Sequence, residues 1–240
     1  MINVKDYGLK NNDSTFDNTP VWNVLLTSLG DDKEIYFPAG VWYFKTKPAI
    51  IKTPLTVRGC GLNNTNLFRD YIESDLNSAL IHTNNTLNLS NLAITAVAGT
   101  SGGGAVKLDG LPASGSILRD LYITGQQKGT WAIPVTLYSS DPLGIRTCHI
   151  DNLDIFAATI HLIWCVNVRG LTLNANCYPA GGTSNQVTIQ HYDAQNRSAN
   201  IQIETRYMDK LYLYNTDSLI IQSVVGTSIV QSGCTKIRSI

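Results

Sequence analysis

The sequence has little charge of either sign and no excess of one sign over the other. Its 240 residues include 18 Lys and Arg against 18 Asp and Glu, so the formal net charge is zero, and charged residues make up 15% of the chain. An ordinary soluble domain has about 25%. Nucleic acids and acidic membrane surfaces are bound by clustered Lys and Arg. Because the basic residues here are scattered, as Lys45 and Lys47 are, we expect neither partner.

Long apolar runs and a cysteine pattern are also missing. No stretch approaches the roughly 18 consecutive apolar residues of a membrane helix, and residues 1–6 have neither the basic flank nor the apolar run of a signal peptide. The five cysteines are odd in number and lack C-x-x-C spacing. They predict buried free thiols rather than a zinc site or a complete disulfide framework. We therefore expect no membrane insertion, no signal peptide, no bound metal and no cofactor.

One short helix is predicted, followed by strands. Apolar residues recur at helical spacing over 21–29, Asn18 or Thr19 can cap the N-terminus, and Gly30 ends the helix. Two short strands then flank the Pro38-Ala39-Gly40 turn, and most of the remaining sequence alternates apolar and polar residues. The chain after the helix is therefore predicted to be all-β.

A weak repeat, a turn residue followed by apolar-x-apolar, recurs six times. The first apolar positions are 29, 32, 18, 40 and 8 residues apart, which suits a solenoid with constant strands and variable loops. We expect the step of 8 to join two strands of one turn. Asn91, Asp120, Asn152 and Gly170 are residue types that tolerate a left-handed turn. An antiparallel sandwich is the competing interpretation, but similar two-residue hairpin turns are missing. The six positions are Leu92, Leu121, Leu153, Leu171, Leu211 and Leu219.

The first 61 residues contain an ordered set of elements. Val4-Lys5-Asp6-Tyr7-Gly8 is followed by a polar stretch, the helix, the Phe37-Pro38-Ala39-Gly40 turn and the segment 55–61. This order resembles the opening of pectate-lyase-like right-handed parallel β-helices, and most closely that of bacteriophage tailspikes and related polysaccharide depolymerases. One departure is Asn11-Asn12-Asp13-Ser14, where the family has Gly-Asp-Gly; it bears on the local geometry of the cap more than on the fold.

The resemblance implies a right-handed parallel β-helix with a short N-terminal capping α-helix. We expect a single domain over 1–240, with the cap and first rung in 1–61 and the remaining rungs in 62–240. A helix across the first rung would cover its unpaired strand edges. The resemblance also implies a homotrimer in the virion tail, contacts with other phage tail proteins, and action outside the host cell on a bacterial surface polysaccharide, either capsule or O-antigen.

Outward residues of successive rungs lie about 4.8 Å apart, which suits a linear polymer. Sugar rings pack on aromatic rings, while amide and hydroxyl groups hydrogen-bond sugar hydroxyls. Solvent-facing Tyr and Thr are also ordinary strand formers. Aligning the repeats predicts an outward column of Ala93, Tyr122, Asp154, Thr172 and Tyr212, and a second of Thr95, Thr124, Phe156, Asn174 and Tyr214. The candidate substrate-binding residues are Tyr122, Thr172, Tyr212, Tyr214 and Asn174.

Glycoside hydrolysis requires two carboxylates about 5 to 9.5 Å apart. Asp154 and Glu204 are predicted to face outward on strands, and Asp151 lies beside a turn close to Asp154 in sequence. These three are the candidate catalytic residues, although local structure explains each one individually. A lyase of the same superfamily would use calcium-binding acids and an arginine base, and no acidic cluster of that kind is visible.

The residues leave the choice of function open between three classes. A depolymerase would bind and hydrolyse the polysaccharide, with a polysaccharide lyase as its chemical variant. A receptor-binding spike would bind it without cleavage. A structural tail or baseplate component would not bind it at all. Loop geometry decides which sugar is recognised.

Overall fold

The computed structural model describes the whole chain except residues 30–32, 98–101, 126–129, 157, 159, 179–184, 193–197, 206, 207, 209, 224–226 and 240. The described part contains one α-helix, α1 (Thr19–Ser28), two short 3₁₀ segments (Val4–Tyr7 and Leu111–Ala113) and many strands. The strands are β1 (Ile2–Asn3), β2 (Lys33–Phe37), β3 (Gly40–Phe44), β4 (Leu55–Gly59), β5 (Thr65–Arg69), β6 (Ala79–Thr83), β7 (Leu87–Ala96), β8 (Gly104–Asp109), β9 (Ile117–Gly125), β10 (Val135–Tyr138), β11 (Ile145–Phe156), β12 (His161–Val166), β13 (Val168–Tyr178), β14 (Asn185–Gln190), β15 (Ala199–Thr205), β16 (Lys210–Tyr214), β17 (Asp217–Ser223), β18 (Ser228–Ser232) and β19 (Thr235–Ser239).

The strands form a three-faced coil in which paired strands run parallel. One sheet carries two of the faces, because its long strands bend: β4 pairs with 87–90 and β5 pairs with 93–96, both within β7. The other sheet is the third face. Face 1 comprises β2, β4, β15, β17, β19 and residues 87–90, 117–119, 149–151 and 171–174. Face 2 comprises β3, β5 and residues 92–96, 121–125, 153–156 and 175–178. Face 3 comprises β6, β8, β10, β12, β14, β16 and β18.

The bend between faces 1 and 2 is made by the predicted turn residues. Asn91, Asp120 and Asn152 have φ of 59°, 51° and 52°, a conformation that costs most other residue types about 1–2 kcal/mol. Asn152 Nδ2 donates to Asp120 Oδ1 at 2.6 Å, so adjacent turns are linked. Gly170 also has positive φ, 72°. The left-handed turns inferred from the sequence are therefore confirmed.

The six repeats are not equivalent, which corrects the alignment on which the predicted columns were based. Leu171 pairs with Cys148 on face 1, and Leu211 pairs with Val187 on face 3. A turn residue followed by apolar-x-apolar recurs at more than one corner of the coil, so the pattern does not say which corner it marks. The step of 8 does join consecutive strands, since Leu211 lies in β16 and Leu219 in β17. The residue two positions before Leu211, Asp209, lies outside the described residues.

Helix α1 closes the N-terminal end of the core. Trp22 is 1% exposed, and its ring centroid lies 5.6 Å from that of Phe37 and 6.3 Å from that of Phe44. The helix begins after Asn18, whose side chain makes no capping bond; Asp17 Oδ1 accepts from the Thr19 N–H instead. Residue Gly30 lies outside the described residues. The helix covers the first rung of the coil and so keeps water away from the apolar core between the sheets.

These features confirm the predicted right-handed parallel β-helix with an N-terminal capping helix, and parallel pairing excludes the antiparallel sandwich. The five cysteines are free thiols; Cys148, Cys165 and Cys177 are buried, and Cys60 and Cys234 are partly exposed. Burial raises the pKa of Cys148 to about 12. In the described part of the chain, no helix has both the length and the apolar content to span a membrane.

Candidate functional site

The predicted site residues are distributed over all three faces. Their placement follows from the strand register. Face 1 holds Asp151, Thr172, Asn174 and Glu204; face 2 holds Tyr122 and Asp154; face 3 holds Tyr212 and Tyr214.

Face 2 follows the first predicted column over three rungs and then departs from it. Tyr122 pairs with Ala93 and with Asp154 as expected, but the next partner of Asp154 is Asn176 instead of Thr172. Asn176 Nδ2 donates to Asp154 Oδ1 at 2.8 Å. Beside this pair, the rings of Phe156 and Tyr178 stack with centroids 4.2 Å apart. Asn176 and Tyr178 were missed because the repeat alignment assigned the next rung to the wrong corner.

Face 1 brings two of the predicted acids into one row. Glu204 pairs with Asn174, and Asp151 follows Ile150, the partner of Leu173. Asp151 and Glu204 therefore lie on either side of Asn174, two strand spacings or about 10 Å apart at Cα. Asp151 also forms an ion pair with Arg119, Oδ2 to Nε 3.6 Å. Asp154 lies on the neighbouring face, so the two candidate acids Asp154 and Glu204 are on different faces.

Thr172 also lies on face 1, between His149 and Gln202. It lines a shallow groove of about 430 Å³ with Gln202, Ile220 and Arg238. Its predicted neighbours Asp154 and Tyr212 are on the other two faces.

Face 3 carries Tyr212 and Tyr214 on outward positions of β16. Leu211 before Tyr212 and Leu213 between the two tyrosines are buried, so the tyrosines alternate to the outside. Register places other aromatic and polar residues in the same two outward rows. One row runs through His82, Lys107, Thr136, Trp164, Thr188 and Tyr212. The other runs through Asp109, Tyr138, Gln190 and Tyr214, with the buried Val166 between Tyr138 and Gln190.

An ionic cluster occupies the N-terminal end of these rows. Asp109 Oδ2 lies 3.1 Å from Lys107 Nζ and 3.2 Å from His82 Nε2. The Lys107 side chain is 7% exposed and the His82 side chain 10%, against 31% for Asp109. Lys107 Nζ also lies 5.4 Å from the ring centroid of Tyr138. Outward charged groups with so little exposure are unusual, since Lys is almost never buried without a partner.

Burial lowers the pKa of His82, and the positive charge of Lys107 lowers it further, against the opposing effect of Asp109. The imidazole is therefore neutral at pH 7 and has one nitrogen free to accept a proton. An ammonium, a carboxylate and a neutral imidazole in contact can hold, donate and accept protons. Perturbed titratable groups of this kind are concentrated at functional sites.

The sequence contained a signal for this cluster that the repeat analysis did not use. In the apolar strand Gly104–Asp109, the alternating positions Lys107 and Asp109 put two charges on one side of a strand. No group of three or more His, Cys, Asp or Glu with metal-binding geometry is found among the residues that the structure describes.

Solved structures share this fold over the whole chain. The A-module of Azotobacter vinelandii mannuronan C-5 epimerase AlgE4 superposes with a TM-score of 0.59 at 14% identity, covering 100% of this chain and 76% of that one. The AlgE6 A-module gives 0.59 at 12% identity, covering 99% and 74%. The catalytic domain of Agl-KA gives 0.51 at 14% identity, covering 99% and 46%. No family model and no curated protein sequence matches the chain. The likenesses show the parallel β-helix fold; membership of the tailspike family stays a prediction.

Proposed function

We propose that this protein binds a bacterial surface polysaccharide along face 3, as a phage tailspike or receptor-binding protein. The observation that carries the proposal is the set of outward aromatic rings on β10, β12 and β16. The resemblance of the first 61 residues to tailspikes supports the phage context. The two modules of similar fold belong to enzymes named for a polysaccharide, mannuronan, which is consistent with a polysaccharide ligand here.

The aromatic residues suit a chain of sugars because they are spread along the coil axis. Tyr138 and Trp164 have ring centroids 6.3 Å apart, and Tyr212 follows two strands later in the row of Trp164. From β10 to β16 there are three strand spacings, or about 14 Å. Rings at such intervals offer apolar surfaces to successive sugars, and the partly exposed Gln190, between Trp164 and Tyr214 along the coil, supplies a hydrogen-bonding group.

The charge of face 3 favours a neutral or weakly charged glycan. Asp109 neutralises Lys107, and His82 is uncharged at pH 7. The bound chain would therefore meet a proton-exchanging cluster without a net charge. This end of face 3 is the first candidate site for chemistry on the polysaccharide, with Asp109 and His82 as the groups beside the bound chain.

A second candidate site for hydrolysis lies on face 1. Asp151 and Glu204 flank Asn174, with about 10 Å between their Cα atoms. From that separation the two carboxyl groups can reach the distance of about 6.5–9.5 Å that inverting glycoside hydrolases use. Asp154 on face 2 is proposed as a single acid beside Tyr122, held by Asn176. Product sizing after incubation with host polysaccharides compares these assignments through three variants, Asp109→Asn, Glu204→Gln and Asp154→Asn.

The binding proposal is tested by affinity electrophoresis in gels that contain capsule or O-antigen polysaccharide. Tyr212→Ala and Tyr214→Ala should each weaken retardation by about fivefold or more, because each removes a stacking surface worth about 1 kcal/mol or more. The matched control is Tyr178→Ala on face 2, which should bind normally. Normal binding by both face 3 variants, or equal loss in the control, would reject face 3 as the binding surface.

The homotrimer and the contacts with other tail proteins are part of the same proposal. The resemblance implies three coils side by side. Light scattering of the purified chain should give a mass three times the 26.2 kDa of one chain, and a monomeric mass at high protein concentration would contradict this part.

A further inference from the structure

Two arginines lie side by side at the corner where the chain passes from face 3 to face 1. Arg146 on β11 pairs in register with Arg169 on β13, so their Cα atoms are one strand spacing, or about 4.8 Å, apart. Both side chains point outward, because the preceding residues Ile145 and Val168 are fully buried. Like charges opposite each other on neighbouring strands destabilise a sheet. An anion bound between the two guanidinium groups would remove this repulsion.

The backbone fixes the positions from which the two side chains extend. Thr147 follows the first arginine with φ of 56°, and Gly170 follows the second with φ of 72°, so both strands make a left-handed turn at the same height. A Cβ atom on Gly170 would lie 3.2 Å from the backbone nitrogen of Thr147, which shows how closely the turns approach. The Arg146 N–H donates to Ser114 Oγ at 2.9 Å, and its carbonyl accepts from the Gly115 N–H at 2.9 Å. Only the side chains are therefore left to adapt to a ligand.

The positive charge of the pair is not balanced by an acid. Neither arginine forms an ion pair with any residue in the described part of the chain. The residues on either side of the pair along the coil, Gly115 and Ala199, are uncharged. Asp151, further along β11, pairs with Arg119 instead. The corner therefore holds two positive charges without a counter-charge at ion-pair distance.

Arg169 gives a second indication of a ligand. Its Nε atom is buried and has no hydrogen-bond partner, although the side chain as a whole is partly exposed. A donor that is shielded from water and lacks an acceptor is destabilising. An Arg169 side chain that turns toward a bound anion would give this donor an acceptor.

We propose that Arg146 and Arg169 together bind a phosphoryl group at this corner of the coil. Arginine binds phosphate through two parallel N–H donors and remains charged at any working pH. A tetrahedral phosphate has oxygens on several sides, so it can accept from both guanidinium groups, whereas a carboxylate presents its two oxygens to one. The phosphoryl group can be inorganic phosphate or part of a phosphodiester chain. The site lies beside face 3 and does not depend on polysaccharide binding there.

The test is thermal unfolding of the full chain, titrated at constant ionic strength with inorganic phosphate or with poly(glycerol phosphate). Phosphate should raise the melting temperature of the wild type saturably, because it binds only the folded chain. Arg146→Gln and Arg169→Gln should each raise the half-saturating concentration about tenfold, as expected for the loss of a charge-assisted pair. The matched control is Arg58→Gln, which removes a single arginine from a groove that also contains Glu34 and Asp120; it should respond to phosphate like the wild type. Tighter binding of the polymer than of inorganic phosphate would identify a phosphodiester chain as the source of the ligand.

Stability without phosphate gives an independent readout. The Arg146 side chain is exposed, and its replacement by Gln removes one of two like charges. In phosphate-free buffer Arg146→Gln should therefore melt at the same temperature as the wild type or higher, although it responds less to phosphate. A lower melting temperature would show that the arginine stabilises the chain itself, against the proposal.

Two further results would overturn the proposal. One is a response to both phosphate probes that is absent at constant ionic strength, or equal in the wild type and both arginine variants. The other is a change of oligomeric mass by light scattering in Arg146→Gln, which would make the arginine pair a contact between chains. Failure here is distinguishable from failure of the face 3 proposal, because Tyr214→Ala should leave the response to phosphate unchanged while it weakens retardation by capsule or O-antigen.

Discussion

Lys107 and Asp109 lie two residues apart on the outward side of one strand, and their side chains form a 3.1 Å ion pair although only 7% of the Lys107 side chain is exposed. Such a pair stabilises the fold little in total, because desolvation offsets the attraction. Breaking it is costly, because the remaining charge stays buried. The pair is thus a largely buried polar feature at the end of the outward rows of face 3, where we propose that the polysaccharide binds.

The two partners of this pair should respond differently to substitution. Asp109→Ala leaves the Lys107 ammonium buried and unpaired and should lower the free energy of unfolding by about 3 kcal/mol. Lys107→Met leaves Asp109, which is partly exposed and can be hydrated, so its effect should be clearly smaller. Urea unfolding of the two variants measures the difference; equal losses would show that Lys107 is not confined as the structure has it.

Stability should depend on pH through His82. Because its pKa is lower in the folded than in the unfolded chain, the unfolded chain binds more protons as the pH falls below about 6.5. The free energy of unfolding should therefore decrease from pH 7 to pH 5. The decrease should be smaller in His82→Gln, which has no imidazole to protonate. Lys107, Lys47 and Asp109 all act on His82, so Asp109→Asn should steepen the decrease by removing the charge that favours protonation. Identical pH profiles for wild type and His82→Gln would contradict this.

The left-handed turns should tolerate glycine better than alanine. Asn152 has φ of 52° and donates to Asp120. Asn152→Gly and Asn152→Ala both remove that hydrogen bond, but only alanine is strained at positive φ. The alanine variant should be less stable than the glycine variant by about 1 kcal/mol. Thermal unfolding compares them, and an alanine variant as stable as the glycine variant would mean that the turn is not left-handed.

The capping helix should be needed for stability and solubility. Trp22→Ala removes a ring packed on Phe37 and Phe44 and should cost about 3–5 kcal/mol. The matched control Val24→Ala changes a side chain that is 66% exposed on the same helix and should have little effect. Because the uncovered rung is an open strand edge, Trp22→Ala should also aggregate on heating. Similar stability of both variants would contradict the role of the helix as a cap.

The turns and the capping helix could be predicted from the sequence because they depend on the residue types of short segments. Asn91, Asp120 and Asn152 are residue types that accept positive φ, and each precedes an apolar-x-apolar strand, so the turns and the solenoid could be inferred. The capping helix followed from its apolar spacing and from the order of the elements around it.

The assignment of residues to faces could not be predicted in the same way. Thr172 and Tyr212 follow the same pattern as Tyr122 but lie on faces 1 and 3, because every corner of the coil needs a similar turn. The low exposure of Lys107 depends on neighbouring rungs about 30 residues away in sequence, such as those of His82 and Tyr138. Such contacts are set by register, which a repeat with variable loops does not fix.

The most direct test of polysaccharide binding on face 3 is tryptophan fluorescence. Trp22, Trp42 and Trp131 are at most 1% exposed, whereas Trp164 is half-buried on the outward row of face 3. Titration with host capsule or O-antigen should change the emission saturably, because a sugar on face 3 meets Trp164. The Trp164→Phe variant should still bind the polysaccharide, but its emission should not change on titration. If calorimetry detects binding that leaves wild-type emission unchanged, or if Trp164→Phe gives the same change as wild type, the polysaccharide does not bind on face 3.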